Sequence, residues 1–197
     1  MKKSIFIFLA ALSCSFFSCN NDATWPAGEE QYEHAYYIGF QDWGKLDNKL
    51  TFTVAKGATI AIPVQFFSER VRNYDVTTKY YVATNALLGT ANAPALTGTN
   101  AAVLGTDYQI VDSLSNVLTP DATGAYTITW PKALKGVKNI YVKNITTKTT
   151  SGSFYVTFFD PADLTGITYT HRMNDSTANY TVSAFTQSFC RKVTVSK

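Results

Sequence analysis

The 197-residue chain is poor in the residue types that most often build catalytic and metal sites. It has 3 cysteines and 2 histidines, and 16% of its residues are charged. His34 and His171 are far apart in the sequence, and neither stands at a spacing typical of metal ligands. The sequence also lacks G-x-S-x-G, a phosphate-binding loop and a dinucleotide fingerprint. It therefore predicts no catalytic residue, no metal ligand and no cofactor.

Long apolar runs are also scarce, and the one at the N-terminus is short. Lys2 and Lys3 precede an apolar stretch at 5–12, which is the layout of a secretory signal. A transmembrane helix would need about 20 apolar residues. The sequence FFSC at 16–19 resembles the lipobox of bacterial lipoproteins, in a relaxed form similar to that of Bacteroidetes. The resemblance implies cleavage before Cys19, acylation of its thiol and insertion of the acyl chains into a lipid bilayer.

Two alternatives to this interpretation stay open. Cys14 is a competing cleavage site, disfavoured because it would leave two phenylalanines in the tether, and a plain secretory signal could also carry an incidental cysteine. We expect a lipoprotein signal peptide at 1–18, a flexible tether at 19–33 and a folded domain at 34–197. The expected location is the outer membrane, with the domain lipid-anchored and either displayed at the surface or facing the periplasm.

The charge of the chain that this cleavage would leave is nearly balanced. It keeps 15 basic and 14 acidic residues, which argues against nucleic acid as a partner. Apart from Cys19 it keeps one cysteine, Cys190, so no intrachain disulfide is expected. The apolar surroundings of Cys190 predict a buried side chain rather than a reactive thiol.

Short segments rich in Val, Ile, Thr, Tyr and Phe follow one another between turn signals, and no segment has a helical apolar period. They predict about ten strands, at 34–40, 49–55, 59–67, 76–84, 106–112, 116–119, 125–130, 137–145, 151–160, 179–185 and 190–196. Pro63 predicts an edge strand or a bulge. Residues 85–103 and 161–178 are predicted to be irregular, the first being either a functional loop or a plain insertion. The pattern predicts an all-β fold, an antiparallel Ig-like β-sandwich.

Gly105, Asp107 and Tyr108 form a G-x-D-Y segment that opens one of these strands. Around this segment, residues 50–160 resemble a Calx-beta-type or related Ig-like domain of Bacteroidetes lipoproteins. The resemblance implies a sandwich in which Asp107 turns the backbone through its side chain and Tyr108 begins the buried face. Some Calx-beta domains bind calcium through clustered acids, which this chain lacks, so no calcium site is expected.

Two tryptophans are candidate ligand contacts. Trp43 lies in a predicted turn and Trp130 ends a predicted strand. Exposed aromatic faces at such positions stack on sugar rings or contact partner proteins. The competing interpretation is that each indole folds back onto the sandwich.

Lysines are the second candidate, because no acid lies between Asp121 and Asp160 while five lysines do. Lys138 and Lys143 fall in one predicted strand, five residues apart, so we expect them on opposite faces. They could bind an anionic partner or protect a sheet edge from pairing with other chains.

These features predict a non-catalytic, lipid-anchored binding module of the cell envelope. Its partner would be a polysaccharide, captured for a polysaccharide-utilisation system, or an envelope protein. A structural or fimbrial-type assembly protein is the alternative. A glycan-active enzyme is less favoured, although the paired carboxylates that it needs would meet only in the fold.

Overall fold

The computed structural model describes residues 33–41, 48, 50–84, 101–163 and 171–197. The chain divides into two compact units, Met1–Glu33 and His34–Lys197, and Glu33 is the one described residue of the first. The predictions for Cys19 and Trp43, and for most of the 85–103 loop, lie outside the described residues.

The described part of the second unit is all-β and contains no α-helix. Its strands are β1 (Ala35–Phe40), β2 (Thr51–Val54), β3 (Thr59–Phe67), β4 (Val76–Ala83), β5 (Tyr108–Val111), β6 (Tyr126–Trp130), β7 (Gly136–Asn144), β8 (Gly152–Thr157), β9 (His171–Ser176), β10 (Thr181–Phe185) and β11 (Cys190–Val195). They form a six-stranded sheet of order β5-β7-β3-β1-β10-β9 and a five-stranded sheet of order β2-β11-β8-β4-β6. The predicted all-β, sandwich-like fold is therefore confirmed.

The two sheets share one hydrophobic core. In β3, the alternate residues Ile62, Val64 and Phe66 have no exposed area, which is the two-residue period of a strand with one buried side. Phe66 stacks on Trp130 of β6, with ring centroids 4.9 Å apart. This ring contact joins a residue of the six-stranded sheet to one of the five-stranded sheet and helps to hold the two layers together.

Not every strand pair is antiparallel. β1 runs parallel to β10, with Ala35 opposite Thr181, and β2 runs parallel to β11, with Thr51 opposite Lys192. The other pairs between strands are antiparallel. Both sheets are thus mixed, and the antiparallel prediction is correct for most pairs and wrong for these two.

The prediction that Pro63 marks an edge strand is wrong. It lies in β3, between β7 and β1 in the middle of the six-stranded sheet. Its carbonyl accepts from Gln41 N–H at 2.9 Å, so the backbone of Pro63 is turned towards β1 rather than β7. The paired residues of β1 and β3 end at Phe40 opposite Val64, so the missing proline N–H falls at the end of this ladder and takes no bond from the pairing with β7.

Strand β9 was expected to be part of a loop, because HRMNDS has no β-branched or large aromatic residue. It pairs with β10, and Asn174 is the residue left out where the register shifts between Asp175 and Met173. Asn174 Nδ2 donates to the carbonyls of Lys79 (2.8 Å) and Phe158 (2.6 Å), and Lys79 N–H donates to Asn174 Oδ1 (2.9 Å). Because β8 pairs with β4 only from Tyr81 onward, this amide continues the ladder past the end of β8. The predicted strand at 116–119 is absent, apart from a single bridge to β5.

Candidate functional site

The side of the six-stranded sheet that points away from the core is here called the outer face. Strand register arranges its central residues in two rows across the strands. The first row consists of Phe67, Tyr37, Ser183 and Met173, and the second of Val137, Gln65, Gly39, Phe185 and His171. Each row brings together residues from strands that are remote in the sequence.

Four rings of these rows form a cluster, here called the aromatic patch: Tyr37, Phe67, Phe185 and His171. The Phe185 ring is at its centre, 5.4 Å from Tyr37 in a stacked arrangement and 5.7 Å from Phe67 in an edge-to-face arrangement. The His171 ring meets Tyr37 edge-to-face at 5.6 Å. Both geometries are favourable for aromatic pairs.

Gly39 lets the Phe185 ring lie close to the sheet. A Cβ atom at position 39 would stand 3.3 Å from Cδ2 of Phe185, which is tighter than most carbon–carbon contacts. Any side chain at this position would therefore push the Phe185 ring outward. The glycine and the ring together define the shape of the patch.

The outer face is exposed around this patch. The exposed fraction is 39% for Phe67, 44% for Val137 and 59% for Met173, while Tyr37 and Phe185 are half-buried. A contiguous exposed apolar area on a soluble domain usually marks a binding surface. The patch is therefore the candidate functional site.

Charge is nearly absent from the outer face. Among the outward positions of the six described strands, Lys143 is the one charged residue, and it lies at a far corner opposite Thr59 and Gln109. The polar residues nearer the patch are uncharged: Ser183 is half-buried, and Gln65 is 8% exposed and donates its amide N–H to the Phe66 carbonyl at 2.8 Å. The face thus combines aromatic rings with neutral hydrogen-bonding groups.

The five-stranded sheet differs on its outward side. Tyr155 and Cys190 point away from the core in the register of β8 and β11, yet neither has any exposed area. Burial raises the pKa of Tyr155 to about 12, with a smaller contribution from Cys190. Cys190 is buried as predicted, and these positions offer no comparable surface.

The prediction that Trp130 contacts a ligand is wrong. Its side chain is 1% exposed, stacked on Phe66, and its indole N–H donates to Thr78 Oγ1 at 3.0 Å. The alternation of β6 places Trp130 on the inward side with Tyr126 and Ile128. The competing interpretation, an indole packed on the sandwich, is correct for this residue.

Lys138 and Lys143 lie on opposite sides of β7, as predicted, so they form no common basic surface. Lys138 Nζ donates to the carbonyl of Thr129 and lies 5.7 Å from the centre of the Trp130 ring. Thr129 belongs to β6, an edge strand. The interpretation of a lysine that protects a sheet edge therefore fits Lys138.

A second polar site surrounds Asp107, at a pocket of about 260 Å³. One carboxylate oxygen accepts from Val103 N–H (2.8 Å) and Lys148 Nζ (2.7 Å), and the other from Thr146 Oγ1 (3.0 Å). Burial alone would raise the pKa of Asp107, but these hydrogen bonds hold it below its usual value. Both carboxylate oxygens are engaged by the chain itself, which favours a structural role for Asp107 and confirms the predicted turn. Tyr108 is fully buried, so the prediction that it begins the core face is also confirmed.

The described residues hold no group of three or more His, Cys, Asp or Glu side chains arranged to bind a metal ion. Within the same part of the chain, no helix is long and apolar enough to cross a membrane.

Sequence reasoning missed the aromatic patch. The available signal was that AYYIGF in β1 and VSAF in β10 carry apolar residues at both odd and even positions, rather than on one side. The excess apolar residues on the second side are Tyr37 and Phe185. Which strands bring them together depends on the parallel pairing of β1 with β10, which no local pattern reveals.

No protein-family model and no curated protein matches this chain. One solved structure to which it is similar is the crystal structure of a complex between a variant of CaDoc0917 and CaCohA2, at pH 5.5. The sequences are 12% identical and the TM-score is 0.32, over 82% of this chain and 99% of that one. A likeness at this level assigns neither a family nor a function.

Proposed function

We propose that the chain is a non-catalytic binding module of the cell envelope, anchored to the outer membrane through an acylated Cys19, which captures a glycan on its outer face. The observation that carries the proposal is the aromatic patch, an exposed cluster of rings on a sheet face that is almost without charge.

The chemistry of the outer face suits a sugar ring. A pyranose has apolar C–H faces and a rim of hydroxyl groups, so it packs on an aromatic ring while its rim needs neutral hydrogen-bonding partners. Tyr37 and Phe185 supply rings, and the half-buried Ser183 is the nearest hydroxyl. The aromatic rings and the hydrogen-bonding group that a sugar would contact therefore lie on the same face.

Four of the described acids are engaged in local structure, which supports binding rather than hydrolysis by them. Asp112 and Asp121 accept hydrogen bonds from the backbone of their own turns. Asp163 pairs with Arg172 at 2.7 Å, and Asp175 accepts from Thr77 at 2.8 Å. None of these acids lies at an outward position beside the aromatic patch, where a glycan would be cleaved.

Binding at the outer face is tested with the full-length chain in micelles of a detergent that has no sugar head group. Affinity for a panel of soluble polysaccharides is measured by calorimetry for the wild type and for Phe185→Ser. Loss of the central ring should weaken binding about tenfold. Tyr141→Ser is the matched control, because this half-buried aromatic lies on the same face outside the patch, and it should bind like the wild type.

Equal binding by Phe185→Ser and the wild type would contradict the proposed surface. The anchor is tested separately, by mass spectrometry of the native protein. A diacylated Cys19 at the N-terminus is the expected result, and an unmodified chain still carrying Met1 would contradict the proposed location.

Assembly by strand addition is the alternative function, and the open edge of β6 is the observation that favours it. Thr77 N–H donates to Tyr180 Oη and Lys79 N–H to Asn174, so these β4 residues turn their backbone away from β6. Their partners Thr129 and Thr127 then turn theirs towards the open edge. At this edge Lys138 Nζ donates a hydrogen bond to the Thr129 carbonyl. This carbonyl is then not free to accept from a further strand, which opposes strand addition.

A further inference from the structure

We infer that the captured glycan is acidic, and that its carboxylate groups bind lysines at the Phe67 end of the aromatic patch. This inference rests on the proposed function and adds to it the charge class of the ligand. The lysines belong to a pair of neighbouring loops, here called the basic loops: residues 68–75, between β3 and β4, and residues 131–135, between β6 and β7.

The basic loops adjoin the patch through β3 and β7. Strand β3 ends at Phe67, directly before the first loop. Strand β7 begins at Gly136, opposite Phe66, and the same register continued by one residue places Lys135 beside Phe67. Residues opposite each other in an antiparallel pair share a side of the sheet, with Cα atoms about 5 Å apart. Because the Debye length at physiological ionic strength is about 8 Å, salt screens the charge of Lys135 only partly from a ligand on the patch.

Hydrogen bonds hold the two basic loops together. Arg72 N–H donates to the Lys132 carbonyl at 2.7 Å, and Lys132 N–H donates to Asp75 Oδ1 at 2.9 Å. Lys132 and Ala133 have positive φ angles of 54° and 50°, a conformation that persists in residues other than glycine only where the surroundings support it. The backbone that carries Lys132 is therefore fixed against the first loop.

The basic loops have a net positive charge. They contain four cations and two acids, namely Arg70, Arg72, Lys132 and Lys135 against Glu69 and Asp75. Lys132 and Lys135 are exposed. No described residue forms an ion pair or a hydrogen bond with the ammonium group of either lysine. Both ammonium groups are therefore available to an acidic ligand.

Cations at the opposite end of the patch, along β9, are paired with acids. Arg172 lies 2.7 Å from Asp163, and Lys79 lies 3.6 Å from Asp175. A ligand carboxylate would have to compete with these acids, whereas at the basic loops it would meet exposed ammonium groups. The acidic groups of the glycan should therefore lie at the basic loops, with its sugar rings on the patch.

The test uses the full-length chain in micelles of an uncharged detergent without a sugar head group. Calorimetry compares polygalacturonate with its methyl ester, which keeps the sugar chain and removes its charge. Alginate and its propylene glycol ester form a second pair with different uronic acids. For at least one pair, we expect the acid form to bind about fivefold more tightly than the ester at low salt, and this difference to shrink at high salt.

Lys135→Glu is the sharper variant, because it reverses one charge and keeps every ring of the patch. It should weaken binding of the acid form about tenfold and change binding of the ester by less than about twofold. Lys143→Glu is the matched control on the same face. Lys143 lies opposite Thr59, eight residues along β3 from Phe67, which is about 26 Å at the rise of a strand, so this variant should bind both forms like the wild type. Melting temperatures verify that both variants are folded.

Three results would overturn the inference. The first is ester binding as tight as that of the acid form, with no effect of Lys135→Glu; if Phe185→Ser still weakens both, the proposed function survives and the acidic class does not. The second is displacement of the polysaccharide by phosphatidylglycerol added to the micelles in stoichiometric amount, since it would make the occupant a lipid head group. The third is a folded wild type that binds none of the polysaccharides, acid or ester, which would overturn the inference and the proposed function together.

Discussion

Removal of the Asp107 carboxylate should destabilise the fold strongly, although this residue lies outside the candidate binding surface. The carboxylate is buried and accepts from Val103 N–H, Thr146 Oγ1 and Lys148 Nζ. In Asp107→Ala the buried Thr146 hydroxyl loses its acceptor, which costs about 1 to 3 kcal/mol, and the part-buried Val103 N–H loses its acceptor at a smaller cost. The Lys148 ammonium can turn to water because its side chain is 46% exposed. We therefore expect a loss of about 2 to 4 kcal/mol in the free energy of unfolding.

Matched variants separate the contributions. Asp107→Asn keeps one acceptor and should cost about half as much as Asp107→Ala. Lys148→Ala removes a partner that is nearly half exposed, so it should cost less than about 1 kcal/mol. Urea unfolding followed by circular dichroism measures all three. A cost for Lys148→Ala equal to that of Asp107→Ala, or no cost for Asp107→Ala, would refute this reasoning.

The same carboxylate also predicts a pH dependence. Its pKa is lower in the folded chain than the ordinary value of 3.8. A depressed carboxyl pKa contributes stability above the unfolded value, and this contribution is lost as pH falls through the folded one. Below about pH 4 the wild type should lose stability more steeply than Asp107→Asn, and parallel pH profiles would contradict the assignment.

Three further variants test features of the fold. Asn174→Ala removes the amide that continues the ladder of β4 and should lower the free energy of unfolding by about 2 to 3 kcal/mol; a cost below about 0.5 kcal/mol in chemical denaturation would show that the ladder closes without it. Lys138→Ala uncovers the edge of β6 and should promote self-association in sedimentation velocity, whereas Lys135→Ala should stay like the wild type; a monomeric Lys138→Ala would mean that the lysine does not guard this edge. Trp130→Phe loses the hydrogen bond to Thr78 and should cost about 1 to 2 kcal/mol without changing glycan affinity, and an altered affinity would place this indole in the binding site after all.

Strand positions were largely predictable from the sequence, and the reason is local chemistry. TIAIPVQFF is β3 at its predicted bounds, because β-branched and aromatic residues alternate with small ones over the whole segment. HRMNDS could not be predicted as β9, since nothing within it favours a strand. Its conformation is supported by Asn174, whose partners Lys79 and Phe158 are remote in sequence.

The candidate site was much less predictable. Trp130 was chosen because it ends a strand beside a proline, but its inward position follows from β6 lying over Phe66, a relation between two sheets. Tyr37 and Phe185 are separated by almost the whole domain and meet because β1 and β10 pair in parallel. The composition showed that the chain is rich in aromatic residues, but only the strand order shows which of them lie together on one face.

The parallel pairing of β1 with β10 also has a mechanical consequence. A pull applied to the chain just before His34 acts along β1, whose hydrogen bonds to β10 and β3 lie across the direction of the force. These bonds resist by shear and have to break together, whereas a hairpin pulled open from its free end would release them one after another. A domain tethered at this end would therefore withstand drag on a captured polymer, because the strand that receives the force is held on both sides.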